Sequence, residues 1–233
     1  MLRPLLALPL AALLATGCTS PDTAETAAPE TAAPETAAPE AAEATTDAAP
    51  AGDAVGAANQ ALAVGDRAPD FALPAASGGT VRLSEQLARG PVVLTFYRGA
   101  WCPYCNTQLR DYQENIAAFE AEGARLLAVS PQTPDSSAVT ESENALAFPV
   151  LSDLGNVVSR DYGLVFRVDE ATRERYRAVG VDLARYNGTD DCELPVPATY
   201  VIGVDGVVEA AFVEADYTQR ASVRQILDAL AGV

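Results

Sequence analysis

Two cysteines, Cys102 and Cys105, stand three residues apart where an apolar run gives way to a helical pattern. Pro91-Val92-Val93-Leu94-Thr95-Phe96-Tyr97 has the length and β-rich composition of a buried strand. Pro103 then suits the first helical position, where a missing N–H costs nothing and the fixed φ is already helical. This makes Cys102 the N-cap and sets Cys105 in the first turn, beside free backbone N–H groups and the positive end of the helix dipole. A thiol so placed has its thiolate favoured, and the thiolate is the reactive form. One helical turn also brings the two residues within disulfide range. The chemistry these residues predict is thiol redox.

The rest of the composition narrows how such a thiol is activated. All 15 basic residues are arginine, and histidine and lysine are both absent. Cys-His and Ser-His nucleophile pairs, Schiff-base lysine and mixed Cys/His zinc sites are therefore excluded. Activation must come from the helix terminus, a hydrogen bond or an arginine. Arg98, four residues before Cys102, is the candidate, its alternative role being a surface ion pair. Trp101 is expected to cover the sulfurs and shield them from water, or else to pack in an ordinary turn. A zinc site would need two further ligands, and only Cys18 and Cys192 remain as thiols. A structural disulfide between Cys102 and Cys105 is the better rival. It closes so small a loop that it stabilises little, and the strand-to-helix junction favours the redox role.

The elements that must hold this junction can be read in order. Residues 64–73 form an extended lead-in, and Ser77–Leu83 a turn and edge strand; Ser84 is expected to cap a short helix to Ala88. The helix after Cys102 puts Leu109, Tyr112, Ile116 and Phe119 on one face and ends at Gly123. Arg125–Ser130 and Phe148–Asp153 read as further strands, with a helix at Ser136–Ala147 between them. Leu154–Tyr162 makes another helical turn or two, and Asp169–Val179 a charged, Arg-rich surface helix. Val196–Ile202 and Val207–Glu214 form a hairpin about Asp205-Gly206. Thr218–Ala231 closes the chain as an amphipathic helix. Alternating strands and helices followed by a hairpin and helix describe an α/β fold with a mixed sheet, and the roughly 170 residues from 64 onward suit one domain.

The N-terminus has another character. Met1-Leu2-Arg3 and the apolar Leu5–Leu14 precede Ala15-Thr16-Gly17-Cys18, which resembles a bacterial lipoprotein signal cleaved before Cys18. The expected organisation is a signal over 1–17, a disordered Ala/Pro/Glu/Thr tether over 18–60 and a folded domain over 61–233. The segment 26–40 repeats Thr-Ala-Ala-Pro-Glu three times, too short a period for a solenoid and too polar for a core. The implied location is the cell envelope, with a lipid on Cys18 as the link to a membrane. The domain itself carries 24 acids against 14 arginines, a net charge of −10, which argues against nucleic acid as a partner.

Three motifs together resemble the peroxiredoxin-like branch of the alkyl hydroperoxide reductase and thiol-specific antioxidant family, within the thioredoxin-fold superfamily. They are the strand-turn-Cys-x-x-Cys-helix unit, Ala147-Phe-Pro-Val-Leu-Ser-Asp153 with Val157–Gly163 (similar to "FPLLSD…YG"), and Pro195-Val-Pro-Ala-Thr-Tyr-Val-Ile-Gly-Val-Asp-Gly206. The resemblance implies a thioredoxin-like fold, a peroxide substrate, a thioredoxin-like dithiol reductant and no cofactor. Measured against the Pro-x-x-x-Thr-x-x-Cys site of peroxiredoxins, Arg98 replaces the proline, Cys102 the threonine, and Cys105 matches the attacking cysteine. The distal arginine of that family is replaced by Pro197. Measured against thioredoxins, Cys102 would attack, Cys105 would resolve, and Pro197 would be the cis-proline opposite the disulfide. Cys192, five residues before Pro197, is either a second resolving thiol or a bystander whose neighbours Asp190, Asp191 and Glu193 blunt it. Thiol peroxidase is the leading expectation. A thiol–disulfide reductase acting on exported proteins is the second, and a non-catalytic envelope lipoprotein with a structural disulfide the third.

Overall fold

Residues 53–233, which the computed structural model describes, begin with a short helix α1 (Ala54–Ala58), a hairpin of β1 (Ala72–Pro74) and β2 (Thr80–Arg82), and α2 (Leu83–Leu87). Next come β3 (Val92–Phe96), α3 (Pro103–Glu114), α4 (Ile116–Ala121), β4 (Arg125–Ser130), α5 (Pro134–Glu143) and β5 (Val150–Ser152). After a 3-10 turn at Leu154–Asn156 the chain forms α6 (Val157–Asp161), β6 (Val165–Arg167), α7 (Glu170–Ala178) and α8 (Leu183–Asn187). It ends with β7 (Glu193–Pro195), β8 (Ala198–Ile202), β9 (Val208–Val213) and α9 (Val223–Leu230). The central sheet has the order β5-β4-β3-β8-β9; β3, β4 and β5 are parallel, β8 runs against them, and β9, antiparallel to β8, runs their way again. This is the thioredoxin-like α/β fold with a mixed sheet flanked by helices.

β3 is buried at every residue, as a central parallel strand covered on both sides must be. Its side chains alternate between two cores. Val92, Leu94 and Phe96 join Leu127, Val129, Leu151, Tyr162 and Tyr200 on one face. Val93 and Tyr97 join Leu126, Ala128 and Val150 on the other, where α3, α4 and α9 contribute Cys105, Leu109, Tyr112, Phe119, Ile226 and Leu230. The helix face read from Leu109, Tyr112 and Phe119 is thus the one that packs. It is interrupted at Asn115, however, whose non-helical backbone divides α3 from α4.

Other departures have local causes. The tether expected to reach residue 60 gives way at Ala54 to α1, which buries Ala54 and Ala57; the signal, Cys18 and the repeats lie outside the described residues. Ser84 does not cap α2 but bonds through its backbone and hydroxyl to Asp70. The closing helix begins at Val223 rather than Thr218, because Asp216 accepts from both the backbone and the hydroxyl of Thr218 and turns the chain there. Ser222 and Gln225 then form a capping box, a pairing legible in the sequence as Ser-x-x-Gln.

The cross-sheet approach behind β3 depends on Gly90. Its φ is +152°, and a Cβ there would stand 2.2 Å from the Gly123 carbonyl oxygen. At Gly78 φ is +95° with open space around it. Both Gly→Ala changes incur left-handed backbone strain of about 1–2 kcal/mol, but only Gly90→Ala adds the collision. Denaturant midpoints are expected to fall further for Gly90→Ala than for Gly78→Ala, with unchanged slopes.

Candidate active site

The junction forms where β3 runs out of ladder. The Tyr97 N–H still donates to the Val129 carbonyl at 2.9 Å, and the chain then turns through Arg98–Trp101. This turn is clamped at Ala100. Its N–H donates to Gln132 Oε1 at 3.0 Å, and its carbonyl accepts from Asn106 Nδ2 at 2.6 Å. Gln132 follows β4 and is fully buried, so the neighbouring parallel strand fixes the turn. Gly99 lets the Trp101 indole fold back on it, since a Cβ would lie 2.5 Å from Trp101 Nε1. Cys102 is the N-cap with extended backbone and Pro103 takes the first helical position, as their sequence predicts.

Both sulfurs are reduced and enclosed, with Cys102 1% and Cys105 0% exposed. Arg98 is 2% exposed and faces Cys102 and Cys105. A second arginine, Arg220, donates through Nη2 to Cys105 Sγ at 3.6 Å. Burial alone would push the Cys105 thiol up. It is outweighed by the Cys102 thiol, which donates toward the Cys105 sulfur, then by the Arg220 and Arg98 guanidiniums and the Arg98 backbone. The result is a Cys105 thiol pulled down to about 5. Cys102 moves the other way. The hydrogen bond to Cys105, then burial, then the neighbouring anion hold its thiol well above the usual range, with Arg98 opposing. The pair therefore shares one proton, kept on Cys102.

Sequence reasoning missed Arg220 and two aromatic residues. Tyr176, from the helix read as a charged surface helix, turns inward to accept a hydrogen bond from Arg98 Nη2 and packs on Trp101 with ring centroids 5.1 Å apart. Tyr217 lies on Tyr104 of α3. The Arg98 guanidinium sits 4.9 Å from the Trp101 ring centre, 5.6 Å from Tyr176 and 4.2 Å from Tyr217. Trp101 thus covers the arginine beside the sulfurs. A lone tyrosine among three arginines and a glutamate at 173–177 was the available signal for Tyr176. For Tyr217 and Arg220 it was the Asp216-x-Thr218 turn, which keeps them out of the closing helix.

Pro197 lies, buried, one step beyond Ala198, which pairs with Phe96, and so stands at the end of β3 beside the Arg98 turn. The cis bond expected there is not formed; every peptide bond among the described residues is trans. Trans is the default isomer of an X–Pro bond, and the residue before Pro197 is tied to another segment, the Val196 N–H donating to the Leu164 carbonyl at 2.8 Å. Cys192 is not brought to the sulfur pair. It has φ +54°, accepts from Arg173 Nη1 at 3.0 Å, donates to the Asp190 carbonyl at 3.3 Å, and lines a cavity of about 150 Å³ with Tyr176.

A titration of the reduced protein tests the electrostatics. Far-ultraviolet thiolate absorbance is expected to appear with a midpoint near pH 5 and to vanish from this range in Cys105→Ser. Cys102→Ser and Arg220→Gln are both expected to raise the midpoint. Because folding depresses the Cys105 pKa, its contribution to the stability of the reduced protein is complete above the thiol's ordinary pKa and is lost as pH falls towards 5. The denaturation midpoint of reduced protein should accordingly rise with pH across that window, and less so in Cys105→Ser.

Comparisons with known proteins bear on the fold and the family. A putative peroxiredoxin of Mycobacterium tuberculosis, MT2597, is 35% identical over 102 residues, 44% of this chain and 64% of that protein. The chloroplastic peroxiredoxin Q of Populus jackii is 29% identical over 148 residues, 64% of this chain and 59% of its own length. The thiol-disulfide oxidoreductase ResA of Geobacillus thermodenitrificans is 32% identical over 105 residues, 45% of this chain and 59% of its length. The match thus spans less than two thirds of each of these relatives. Among solved structures, peroxidoxin BcpB of Mycobacterium tuberculosis superposes with a TM-score of 0.58 at 23% identity, over 74% of this chain and 98% of that one. Peroxiredoxin Q of Xanthomonas campestris gives 0.54 at 19%, over 70% and 90%. The AhpC/TSA family model matches residues 64–211, from the extended lead-in through most of β9, and the chain belongs to that family.

Proposed function

We propose that the protein is a thiol-dependent peroxidase in which Cys105 is the attacking sulfur. The observation that carries this is the Arg220 guanidinium donating to Cys105 Sγ at 3.6 Å, with Arg98 buried beside the pair; both lower the Cys105 thiol, while Cys105 and burial raise that of Cys102. The Cys105 thiolate attacks the terminal oxygen of a peroxide ROOH. An S–O bond forms, the O–O bond breaks, and ROH leaves with a proton from solvent. Cys102 then attacks the Cys105 sulfenic acid. The S–S bond forms, and water leaves with the proton that Cys102 held. Two electrons have passed from the sulfurs to the peroxide, and an external dithiol returns two electrons and two protons by exchange. A thioredoxin-like protein is the class of donor that suits a Cys-x-x-Cys disulfide.

The second reading is a thiol–disulfide reductase with Cys102 attacking first. It is favoured by the Cys-x-x-Cys spacing itself and by likeness to a protein named for that activity. The raised Cys102 thiol and the trans Pro197 weigh against it. Purified protein supplied with dithiol separates the two. Hydrogen peroxide consumption is expected to fall by about 10³-fold or more in Cys105→Ser, the scale of losing an activated nucleophile, and less in Cys102→Ser when dithiol is abundant. Insulin reduction abolished mainly by Cys102→Ser, without peroxide turnover, would establish the reductase instead.

The lipoprotein-like leader extends the proposal to location: Cys18 carries lipid, and the domain works in the bacterial cell envelope on a tether. In cells expressing the full chain, the protein should sediment with membranes, and Cys18→Ala should shift it out of that fraction.

A further inference from the structure

α5 presents the wrong face to the domain for a helix held by apolar packing. Ser137 and Thr140 of α5 and its C-cap Asn144 share one helical face and are buried, while Ala138 and Val139 face solvent. Buried hydroxyl and carboxamide groups are costly unless they are bonded, so their partners carry information. The Ser137 hydroxyl meets that of Ser152 on β5 at 2.9 Å. Thr140 and Asn144 reach the two side chains that clamp Ala100.

Gln132 Oε1, which accepts from the Ala100 N–H at 3.0 Å, is also the acceptor for the Thr140 hydroxyl at 3.3 Å and the Ser130 hydroxyl at 3.5 Å. The Thr140 proton is shared with the Ser136 carbonyl of its own helix at 3.2 Å. Gln132 Nε2 is buried with no partner, so the sense of this carboxamide is set at its oxygen. On the other side of Ala100, Asn144 Nδ2 donates to Asn106 Oδ1 at 3.5 Å, which leaves Asn106 Nδ2 to donate to the Ala100 carbonyl at 2.6 Å. Asn144 is held in turn by Arg110 Nη1, which donates to its Oδ1 at 2.8 Å, and by its own donation to the Thr140 carbonyl at 2.9 Å. Donors on α5 thus make one carboxamide show Ala100 its oxygen and the other its nitrogen.

We infer that Thr140 and Asn144 are positioning residues for the sulfur pair: they fix Ala100 from both sides, and through it the turn that carries Arg98 and Cys102. The inference rests on the reading of Cys105 as the working thiolate. Arg98 and Cys102 stand two residues to either side of Ala100, and the Arg98 backbone, the Arg98 guanidinium and the Cys102 thiol all act on Cys105. A Gln132 carboxamide turned the other way would set Nε2 against the Ala100 N–H, donor against donor, and release the turn. The titratable and charged groups facing Cys105 are Cys102, Arg98, Arg220 and Tyr97. Thr140 and Asn144 carry no charge, so neutral substitutions there reach the sulfur only by moving the turn.

The reduced full chain is compared as wild type, Thr140→Val, Thr140→Ser, Asn144→Leu and Ser137→Ala. The Cys105 thiolate midpoint is followed by absorbance, and exchange of the Ala100 N–H by nuclear magnetic resonance. Thr140→Val, which keeps the shape and loses the hydroxyl, is expected to raise the midpoint by about one pH unit and to speed Ala100 exchange about tenfold, the scale of one hydrogen bond. Asn144→Leu should raise the midpoint as well. Thr140→Ser keeps the donor and should match the wild type in both measurements. Ser137→Ala removes a buried bond from the same face, so it should lower the denaturation midpoint and leave the thiolate midpoint in place. Wild-type behaviour in Thr140→Val and Asn144→Leu overturns the inference. So does a thiolate midpoint that rises as far in Ser137→Ala, since a general loosening of α5 would then be the cause. Should Thr140→Val not fold, Asn144→Leu set against Ser137→Ala decides the same question. A wild-type midpoint at the ordinary thiol value overturns the reading of Cys105 instead, and the Ala100 exchange rates still test the clamp.

Discussion

A buried positive charge beside two sulfurs is the constraint around which this domain is arranged. Taking a guanidinium out of water is costly unless an anion or a set of dipoles replaces the solvent. Here the replacement is a thiolate and three aromatic faces. The thiolate needs Cys105 in the first turn of α3, the first turn needs the Ala100 clamp, and the clamp needs Gln132 delivered from β4. Each dependence runs back to the parallel pairing of β3 with β4, in which Phe96 lies opposite Val129. The sheet is therefore part of the electrostatics, because it decides where a charge and its partner meet.

The balance between the cysteines follows from the same arrangement. A helix N-terminus would favour a thiolate at either position. What breaks the symmetry is Arg220, which reaches Cys105, together with the Cys102 thiol that donates toward it. Peroxiredoxins, by the resemblance described above, carry an arginine just before the first strand of the closing hairpin, and this chain has Pro197 there. An arginine from the segment after β9 lies instead on the sulfur. The charge is thus supplied from a different part of the chain.

What the sequence made legible was local or periodic. The alternation of β3, the N-cap and N1 residues at Cys102-Pro103, and the Leu109/Tyr112/Phe119 face all depend on neighbours within a few residues, and the structure has them where spacing puts them. The hidden parts depend on tertiary proximity. The side sheet pairing Val165–Arg167 with Glu193–Pro195 joins segments too short to announce themselves. Tyr176, Tyr217 and Arg220 reach the site from loops and a polar helix, and their residue types are as common on any surface. The cis bond expected at Pro197 came from likeness to thioredoxins, and the bond is trans here. A borrowed local geometry fails where the path of the chain around it differs.

The clamp at Ala100 has a consequence for how the molecule is assembled. Gln132 lies beyond the end of β4, some 30 residues after the turn it holds, at a separation of 32. Until those strands pair, Cys102 and Cys105 belong to an open loop, and any third thiol can exchange with them. Cys192 is the other thiol among the described residues, and in the finished fold it is held by Arg173 on its sulfur. Folding here does more than build a site. It makes the dithiol private, because the finished turn and helix bury both sulfurs.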